Sequence, residues 1–205
     1  MHDDTFPRPS PSIEETTRAC IERSDALLAA ATNAASPDTV LFARLIAARE
    51  TRDELPLLGL SRAQITGLFQ RHFARCAPPA IAAHVGTIAV NPAAHAAFVT
   101  QLRALLLRDA SASVSPDDAQ CLSSIIAHAC LRPDHLWRDL GLSGREELSA
   151  MLDRYFPDLA ARNINNLRWK KFLAQQLALS LGNEPGPAPG CPGCEDFTFC
   201  FPPAP

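Results

Sequence analysis

The sequence is poor in aromatic residues and in strand-like patterns. Phe, Trp and Tyr together make up 6% of the residues, and no segment alternates regularly between apolar and polar side chains. Alanine and leucine dominate instead, and this mixture favours helices over strands. The sequence therefore predicts an all-α fold.

Long apolar runs and basic stripes are also missing. No stretch approaches the roughly 18 apolar residues of a membrane-spanning helix, and the polar start, MHDDTFPRPS, has no apolar core of a signal peptide. The net charge is −3, and the segment RWKK at 168–171 is a single short basic cluster, so a nucleic-acid partner is not expected. We expect a cytoplasmic protein that binds neither nucleic acid nor membrane.

Helix-start signals, in contrast, are abundant. Three serines are followed three residues later by Glu or Gln, the spacing of a capping box: Ser12–Glu15, Ser61–Gln64 and Ser143–Glu146. Ser-Pro-Asp opens two further segments, at 36–38 and 115–117, with Ser suited to the N-cap, Pro to the first helical position and Asp to the positive helix end. Gly182 predicts the end of the last strong helix.

Two segments of similar length resemble each other. Residues 36–73 and 115–156 both run from Ser-Pro-Asp through an apolar patch to Leu-Gly-Leu-Ser and end in Arg-x-Phe. We interpret them as two related helix-turn-helix units that bury their apolar stripes against each other; the alternative is coincidence in a chain rich in Leu and Ala. They predict a helical bundle within a domain at 12–182, after a disordered N-terminus at 1–11. Residues 183–205 then form a Pro-rich linker and an irregular cysteine-containing tail.

Three of the seven cysteines are gathered in that tail, at Cys191, Cys194 and Cys200. In a reducing cytoplasm such a cluster indicates metal or redox chemistry more than structural disulfides. The turn at Pro192–Gly193 lets Cys-x2-Cys wrap one metal centre, and a third thiolate six residues on can reach the same centre. Soft thiolates select zinc, copper(I) or iron–sulfur assemblies, and three of them leave one of four ligand positions open. The alternatives are a half-formed zinc clip and an unliganded tail.

The residues before the tail carry a family resemblance. Three motifs occur in order within the segment 129–177, and CPGCEDFTFCF follows them: RPDHLWRDLGL (132–142), FPDLAARN (156–163) and RWKKF (168–172). On these motifs the sequence resembles the NifQ family, whose members supply molybdenum for the iron–molybdenum cofactor of nitrogenase. The resemblance is continuous from about residue 36 and strongest from about 115 to 201.

The resemblance implies an iron–sulfur cluster that takes up molybdenum, held by the family motif Cys-x4-Cys-x2-Cys-x5-Cys. The last three positions are Cys191, Cys194 and Cys200, but Gly186 stands where the first cysteine is expected. A cluster of the 3Fe-4S type needs one thiolate per iron and leaves a vacant corner for molybdenum, so three cysteines are the minimum set. The opposing interpretation is a degenerate family member with no cluster.

Residues near position 130 are candidates for further roles at this centre. Cys130 and His135 converge on one site if the helix breaks at Arg132–Pro133; the alternatives are a small buried thiol and a helix-capping histidine. Molybdate is an oxyanion, and four cationic side chains are candidates for attracting it: Arg132, Arg168, Lys170 and Lys171. The alternative is that they form a solvated helix face. The other three cysteines are interpreted as core residues: Cys20, Cys76 and Cys121.

The combined expectation is a carrier rather than an enzyme. No Ser/His/Asp arrangement, phosphate-cradling glycine loop or HExxH pair is recognised in the sequence. The resemblance implies a nitrogenase cofactor-assembly scaffold and the nitrogenase iron protein as partners, and a mobile tail suits a handover between proteins. The competing expectation is a zinc-stabilised helical interaction module.

Overall fold

The computed structural model describes residues 12–80 and 92–203, and the disorder predicted for 1–11 lies outside this part of the chain. Its described residues form helices and no strand, so the all-α prediction is confirmed. None of these helices is long and apolar enough to cross a membrane. The α-helices are α1 (Ile13–Ala29), α2 (Pro37–Glu50), α3 (Arg62–His72), α4 (Ala96–Arg108), α5 (Pro116–Ala129), α6 (Leu136–Asp139), α7 (Arg145–Tyr155), α8 (Pro157–Ala161), α9 (Trp169–Ser180) and α10 (Phe197–Cys200). The 3₁₀ helices are Leu55–Leu58, Pro92–His95 and Cys191–Gly193.

The caps explain where these helices begin and end. Capping boxes form at the starts of α1 and α3 as predicted, with Ser12 paired to Glu15 and Ser61 to Gln64. The third box was predicted with the wrong partner, because Gly144 is the N-cap of α7 and the preceding serine instead bonds the carboxylate of Glu147 at 2.7 and 2.8 Å. Gly182 follows α9 with φ 72°, the left-handed conformation in which glycine commonly ends a helix.

The two similar segments fold alike. Each consists of a 14-residue helix, a four-residue helical turn and an 11-residue helix: α2, Leu55–Leu58 and α3 in one, and α5, α6 and α7 in the other. Both 14-residue helices begin with Pro after a Ser N-cap. Both short turns are followed by a glycine with positive φ, Gly59 at 64° and Gly141 at 70°.

The two units contact each other reciprocally through polar contacts at the starts of their long helices. Asp38 of α2 accepts a hydrogen bond from Arg154 Nε at 2.9 Å, at the end of α7. Asp118 of α5 accepts one from Arg71 Nε at 2.8 Å and lies 3.0 Å from His72 Nε2, at the end of α3. The carboxylates also lie at the positive helix ends, which stabilises them further.

The turn glycines complete this reciprocal packing. A Cβ on Gly59 would overlap the imidazole of His128 in α5, and a Cβ on Gly141 would overlap the Cβ of Ala48 in α2. Each unit therefore packs its turn against the long helix of the other, at a distance that only glycine allows. The buried core lies around these contacts, and its largest fully buried side chains include Phe42, Phe69, Phe73, Tyr155, Phe156 and Phe172.

The C-terminal tail is mostly irregular, as the sequence predicted, but it packs against the helical body. It contains the 3₁₀ helix Cys191–Gly193 and the one-turn helix α10, and Ala188 is 1% exposed within the hydrophobic core. Proline and glycine content indicated a linker, but the prolines exclude a long helix rather than tight packing. The tail is therefore docked on the helical body.

Candidate metal centre

The three tail cysteines line one cavity between the tail, α9 and the segment that begins α6. The cavity itself is small, about 40 Å³, and it is partly open to solvent. Cys191 lies at the buried side of the cavity with 6% exposure, whereas Cys194 and Cys200 are half-buried. The three cysteines that are close in sequence therefore line the same cavity.

The loop that carries Cys191 and Cys194 sits on the corner between α5 and α6. The amide of Gly190 donates to the carbonyl oxygen of Cys130 at 3.0 Å. A Cβ on Gly190 would lie 2.6 Å from the backbone nitrogen and carbonyl carbon of Arg132, and a Cβ on Gly193 would overlap the Cβ of Pro133. The close contact with the Arg132 backbone and with the Pro133 ring therefore requires glycine at both positions.

Charged side chains around the buried Lys170–Asp139 pair support the same corner. Lys170 is 6% exposed and donates to the carbonyl oxygens of Arg132, at 2.7 Å, and Asp134, and to the carboxylate of Asp139 at 2.6 Å. The other oxygen of this carboxylate accepts from Arg132 Nε at 3.0 Å, and the Arg132 guanidinium lies 3.6 Å from Glu54. Breaking a buried charge pair by removing one partner costs about 3–5 kcal/mol, so this group strongly favours one geometry of the corner.

Ion pairs orient the segment between the second and third cysteines. Glu195 lies 3.1 Å from His135 Nε2 and accepts from Arg138 at 3.2 Å. Asp196 pairs with Arg168 at 2.8 Å and lies 3.5 Å from the same imidazole nitrogen. Partly exposed pairs of this kind contribute about 0–1 kcal/mol each, so they direct the segment more than they stabilise it.

The last cysteine is held from α9 as well. Lys171 Nζ donates to the carbonyl oxygen of Cys200 and lies 4.8 Å from the centre of the Phe201 ring, in a cation–π arrangement. Phe197 and Phe201 pack against the hydrophobic core. Phe199 between them is 77% exposed and leaves the outer side of α10 uncovered.

Burial affects the thiols of this region. It raises the pKa of Cys191 and of Cys200, and it raises the pKa of Cys130 to about 12. These groups are therefore thiols at neutral pH when no metal is bound. A metal that binds them as thiolates must displace their protons.

The two candidate extra ligands lie in different surroundings. His135 lines the cavity, but its Nε2 is within bonding distance of the two tail carboxylates. Cys130 is fully buried beneath the loop, close enough to Cys191 for their charges to interact. Its environment is that of the predicted buried thiol. Among the other cysteines, Cys121 is buried as predicted, whereas Cys20 and Cys76 are half-buried.

Three of the four predicted cations line the cavity, and each has a partner. These are Arg168, Lys170 and Lys171, whereas the partly exposed Arg132 does not line the cavity and pairs with Asp139 and Glu54. Arg145 was not predicted but also lines the cavity, and it donates to neutral acceptors, the oxygens of Asn166 and Leu167. Its position at the start of α7 carries no sequence signal for this role, since only packing brings α7 to the tail.

The cavity has no geometry for a single small ion. Among the described residues, no group of three His, Cys, Asp or Glu side chains converges on one point that could hold a metal ion. Ligands of a cluster bind different iron atoms and so need not converge in this way. The donor set of three thiols around one cavity fits a cluster in its chemistry.

Comparison with known proteins identifies the family of the chain. A family model described as NifQ matches residues 39–202. The chain belongs to the NifQ family. This connects it with nitrogen fixation and the synthesis of the iron–molybdenum cofactor, the process that the sequence resemblance indicated.

Several NifQ proteins are similar to the chain over part of their length. A NifQ homolog from Sinorhizobium fredii is 40% identical over 145 residues, which are 70% of this chain and 60% of that protein. NifQ from Azotobacter vinelandii is 46% identical over 101 residues, 49% of this chain and 51% of that protein. NifQ from Rhodobacter capsulatus is 38% identical over 92 residues, 45% and 51% of the two chains. The matched part thus spans about half to 60% of these relatives, and no solved structure matches the chain.

Proposed function

We propose that this NifQ family member is a cytoplasmic carrier that binds an iron–sulfur cluster through Cys191, Cys194 and Cys200 and delivers molybdenum for cofactor synthesis. The observation that supports this most directly is that all three cysteines line one cavity. Iron–sulfur clusters are held by cysteine thiolates. Three thiolates suit a cluster of the 3Fe-4S type, whose vacant corner would accept molybdenum as cargo.

The missing fourth cysteine is compatible with this proposal. Among the described residues, Gly186 has no atom within 4 Å of the position that a Cβ would occupy, so its side is open. A centre with three protein ligands and one open corner is what a carrier needs, because cargo must enter and leave it. Metal sites that exchange ligands likewise keep a position open.

The charges around the cavity suit anionic cargo. Arg145, Arg168 and Lys171 line the cavity. Burial lowers the pKa of Arg145, and the nearby Arg168 guanidinium lowers it further. Two neighbouring guanidinium groups disfavour each other's charge, and this repulsion is relieved when an anion binds between them. Arginine presents paired donors to oxyanions. We therefore propose Arg145 and Arg168, with Lys171, as the groups that attract molybdate.

A carrier needs a surface through which it meets its partners. The cavity is partly open, and two of its three cysteines are half-buried rather than enclosed. We propose that the cofactor-assembly scaffold and the nitrogenase iron protein approach this side, and that the protein transfers its cargo without catalysing a reaction. The competing proposal, a zinc-stabilised interaction module, predicts a different metal at the same cysteines.

The test is metal analysis of protein purified without oxygen and reconstituted with iron and sulfide. We expect the wild-type chain to bind iron and acid-labile sulfide with brown charge-transfer absorption, and to take up molybdenum when molybdate is supplied. Replacing Cys191, Cys194 and Cys200 together by Ser should abolish the binding of iron, sulfide and molybdenum and the brown absorption, and it should slow nitrogen-dependent growth on limiting molybdate. The matched control replaces the half-buried Cys20 and Cys76 by Ser and should bind iron normally.

Two results would refute the proposal. One is a triple serine variant that keeps its full iron and molybdenum. The other is a wild-type protein that remains colourless and binds zinc alone, which would support the interaction module instead.

A further inference from the structure

The chain contains two lysines, Lys170 and Lys171, and they are adjacent at the start of α9. The other side chains with a permanent positive charge are arginines. Both ammonium groups point to the tail region, one to the corner under Cys191 and the other to Cys200. The only lysines of the sequence therefore contact the supports of the first and last cysteine of the proposed centre.

Lys170 acts on the corner and not on solvent. Its side chain is 6% exposed, and its three N–H groups are matched by three acceptors: the carbonyl oxygens of Arg132 and Asp134 and the carboxylate of Asp139. A compact ammonium can donate in three directions from one point, whereas a planar guanidinium donates as a fork. The site is therefore specific for lysine.

The two carbonyl groups that Lys170 binds belong to the residues on either side of Pro133. The cysteine loop packs against this segment, residues 132–134. Gly190 lies against the Arg132 backbone, and Gly193 lies against Pro133. Small displacements of this segment would remove the contact, because neither glycine has a side chain that could follow it. Lys170 therefore sets the position of Cys191, the residue after Gly190, through the corner.

Lys171 acts at the other end of the tail. It donates to the carbonyl oxygen of Cys200 and lies over the Phe201 ring at 4.8 Å. It is half-buried and has one carbonyl and one ring as partners. A guanidinium can make both of these interactions, so arginine should replace lysine here.

We infer that Lys170 and Lys171 are positioning residues that hold the two ends of the cysteine tail at the spacing required for the metal centre. This inference deepens the proposed function and rests on it for the identity of the centre. The positioning itself is a property of the metal-free chain. It can therefore be measured separately from metal binding.

The first measurement is amide hydrogen exchange of the full-length metal-free protein, resolved by residue. The Gly190 amide, bonded to Cys130, reports on the first end, and the Phe201 amide reports on the second; the Ser111 amide, bonded to the carbonyl of Tyr155, is a distant reference. Lys170→Met should speed exchange at Gly190 about tenfold or more, because a lost charge-assisted hydrogen bond costs this much or more in population.

The pattern across variants separates positioning from general destabilisation. Amide exchange at Gly190 should be as fast in Lys170→Arg as in Lys170→Met. Lys171→Met should speed amide exchange at Phe201, whereas Lys171→Arg should keep exchange there at the wild-type rate. Since Lys170→Met leaves Asp139 with one buried partner fewer, the double variant Lys170→Met with Asp139→Asn is also measured. Wild-type protection at Gly190 in both Lys170→Met and the double variant would overturn the inference. Equal acceleration at Ser111 in both would also overturn it.

The second measurement is iron bound per chain after anaerobic reconstitution. We expect less iron in Lys170→Met, Lys170→Arg and Lys171→Met, and wild-type iron in Lys171→Arg. Full iron content in all four variants would refute the inference while leaving the proposed function intact. A wild-type chain that takes up no iron would refute the proposed function, and the exchange pattern would still decide whether the lysines position the tail.

Discussion

Replacement of Gly190 by alanine should detach the cysteine loop from the helical body. A Cβ at this position would lie 2.6 Å from the backbone nitrogen and carbonyl carbon of Arg132, well inside van der Waals contact. The neighbour is backbone at a corner held by Lys170, so it cannot rotate away as a side chain would. Relief requires the loop to move, which also breaks the bond from the Gly190 amide to Cys130.

The size of the effect follows from these two losses. Overpacking a tight site costs about 1–3 kcal/mol, and one hydrogen bond contributes about 1 kcal/mol. A total of about 2–4 kcal/mol lowers the equilibrium constant for the docked loop by roughly 30- to 700-fold. We expect amide exchange across residues 188–201 to accelerate by a factor in this range and iron retention to fall, while the thermal unfolding of the helical body changes little.

Gly186→Ala is the matched control. The same change is made four residues earlier, where no atom lies within 4 Å of the new Cβ and φ is not positive. It should leave tail protection and iron content at wild-type values, or raise stability by about 0.4–1 kcal/mol through the unfolded state. Wild-type exchange and wild-type iron content in Gly190→Ala would refute the reasoning that links the docked loop to the metal centre.

Two further predictions concern the helical body. Burial opposes ionisation of Asp38, but the hydrogen bonds from Arg154 and Tyr155 outweigh it and lower the pKa of this carboxyl. The contribution of Asp38 to the free energy of unfolding is therefore complete above the unfolded pKa of about 3.9. It is lost as the pH falls through the lower folded pKa. Asp38→Asn should reduce the free energy of unfolding at pH 7 by about 1–2 kcal/mol, discounted for partial exposure. Gly141→Ala should cost about 2–5 kcal/mol, because left-handed φ costs about 1–2 and overlap with Ala48 about 1–3.

Denaturant unfolding measures both effects. The difference between wild type and Asp38→Asn should shrink as the pH is lowered below 4, and a difference that is the same at pH 7 and pH 2 would contradict the assigned pKa direction. For Gly141→Ala the control is Gly182→Ala, since Gly182 has φ 72° with no atom within 4 Å. It should lose only the conformational part, about 1–2 kcal/mol. Equal losses in the two variants would show that close packing at Gly141 is not important.

Local sequence patterns were sufficient for the class of fold and for most helix starts. The capping boxes of Ser12 and Ser61 join residues three apart, so the sequence states both partners directly. The Ser143 box was assigned to Glu146 instead of Glu147, because a one-residue shift of the N-cap is not visible in the sequence. The docked tail was missed for a different reason: proline and glycine content reports on the backbone and not on what the backbone packs against.

The sequence alone determined the helical class, the repeated unit pattern, the family resemblance and the three cysteines proposed to bind metal. These depend on residue type and on spacings of a few positions, which helix geometry and ligand chemistry translate directly. Only the tertiary structure decided that the tail is docked, that Arg132 and Lys170 both bind the buried carboxylate of Asp139 and that Arg145 reaches the cavity. Lys170 lies 38 positions from Arg132 and Gly190 lies 60 from Cys130. No local pattern pairs residues this far apart, because packing of whole helices brings them together.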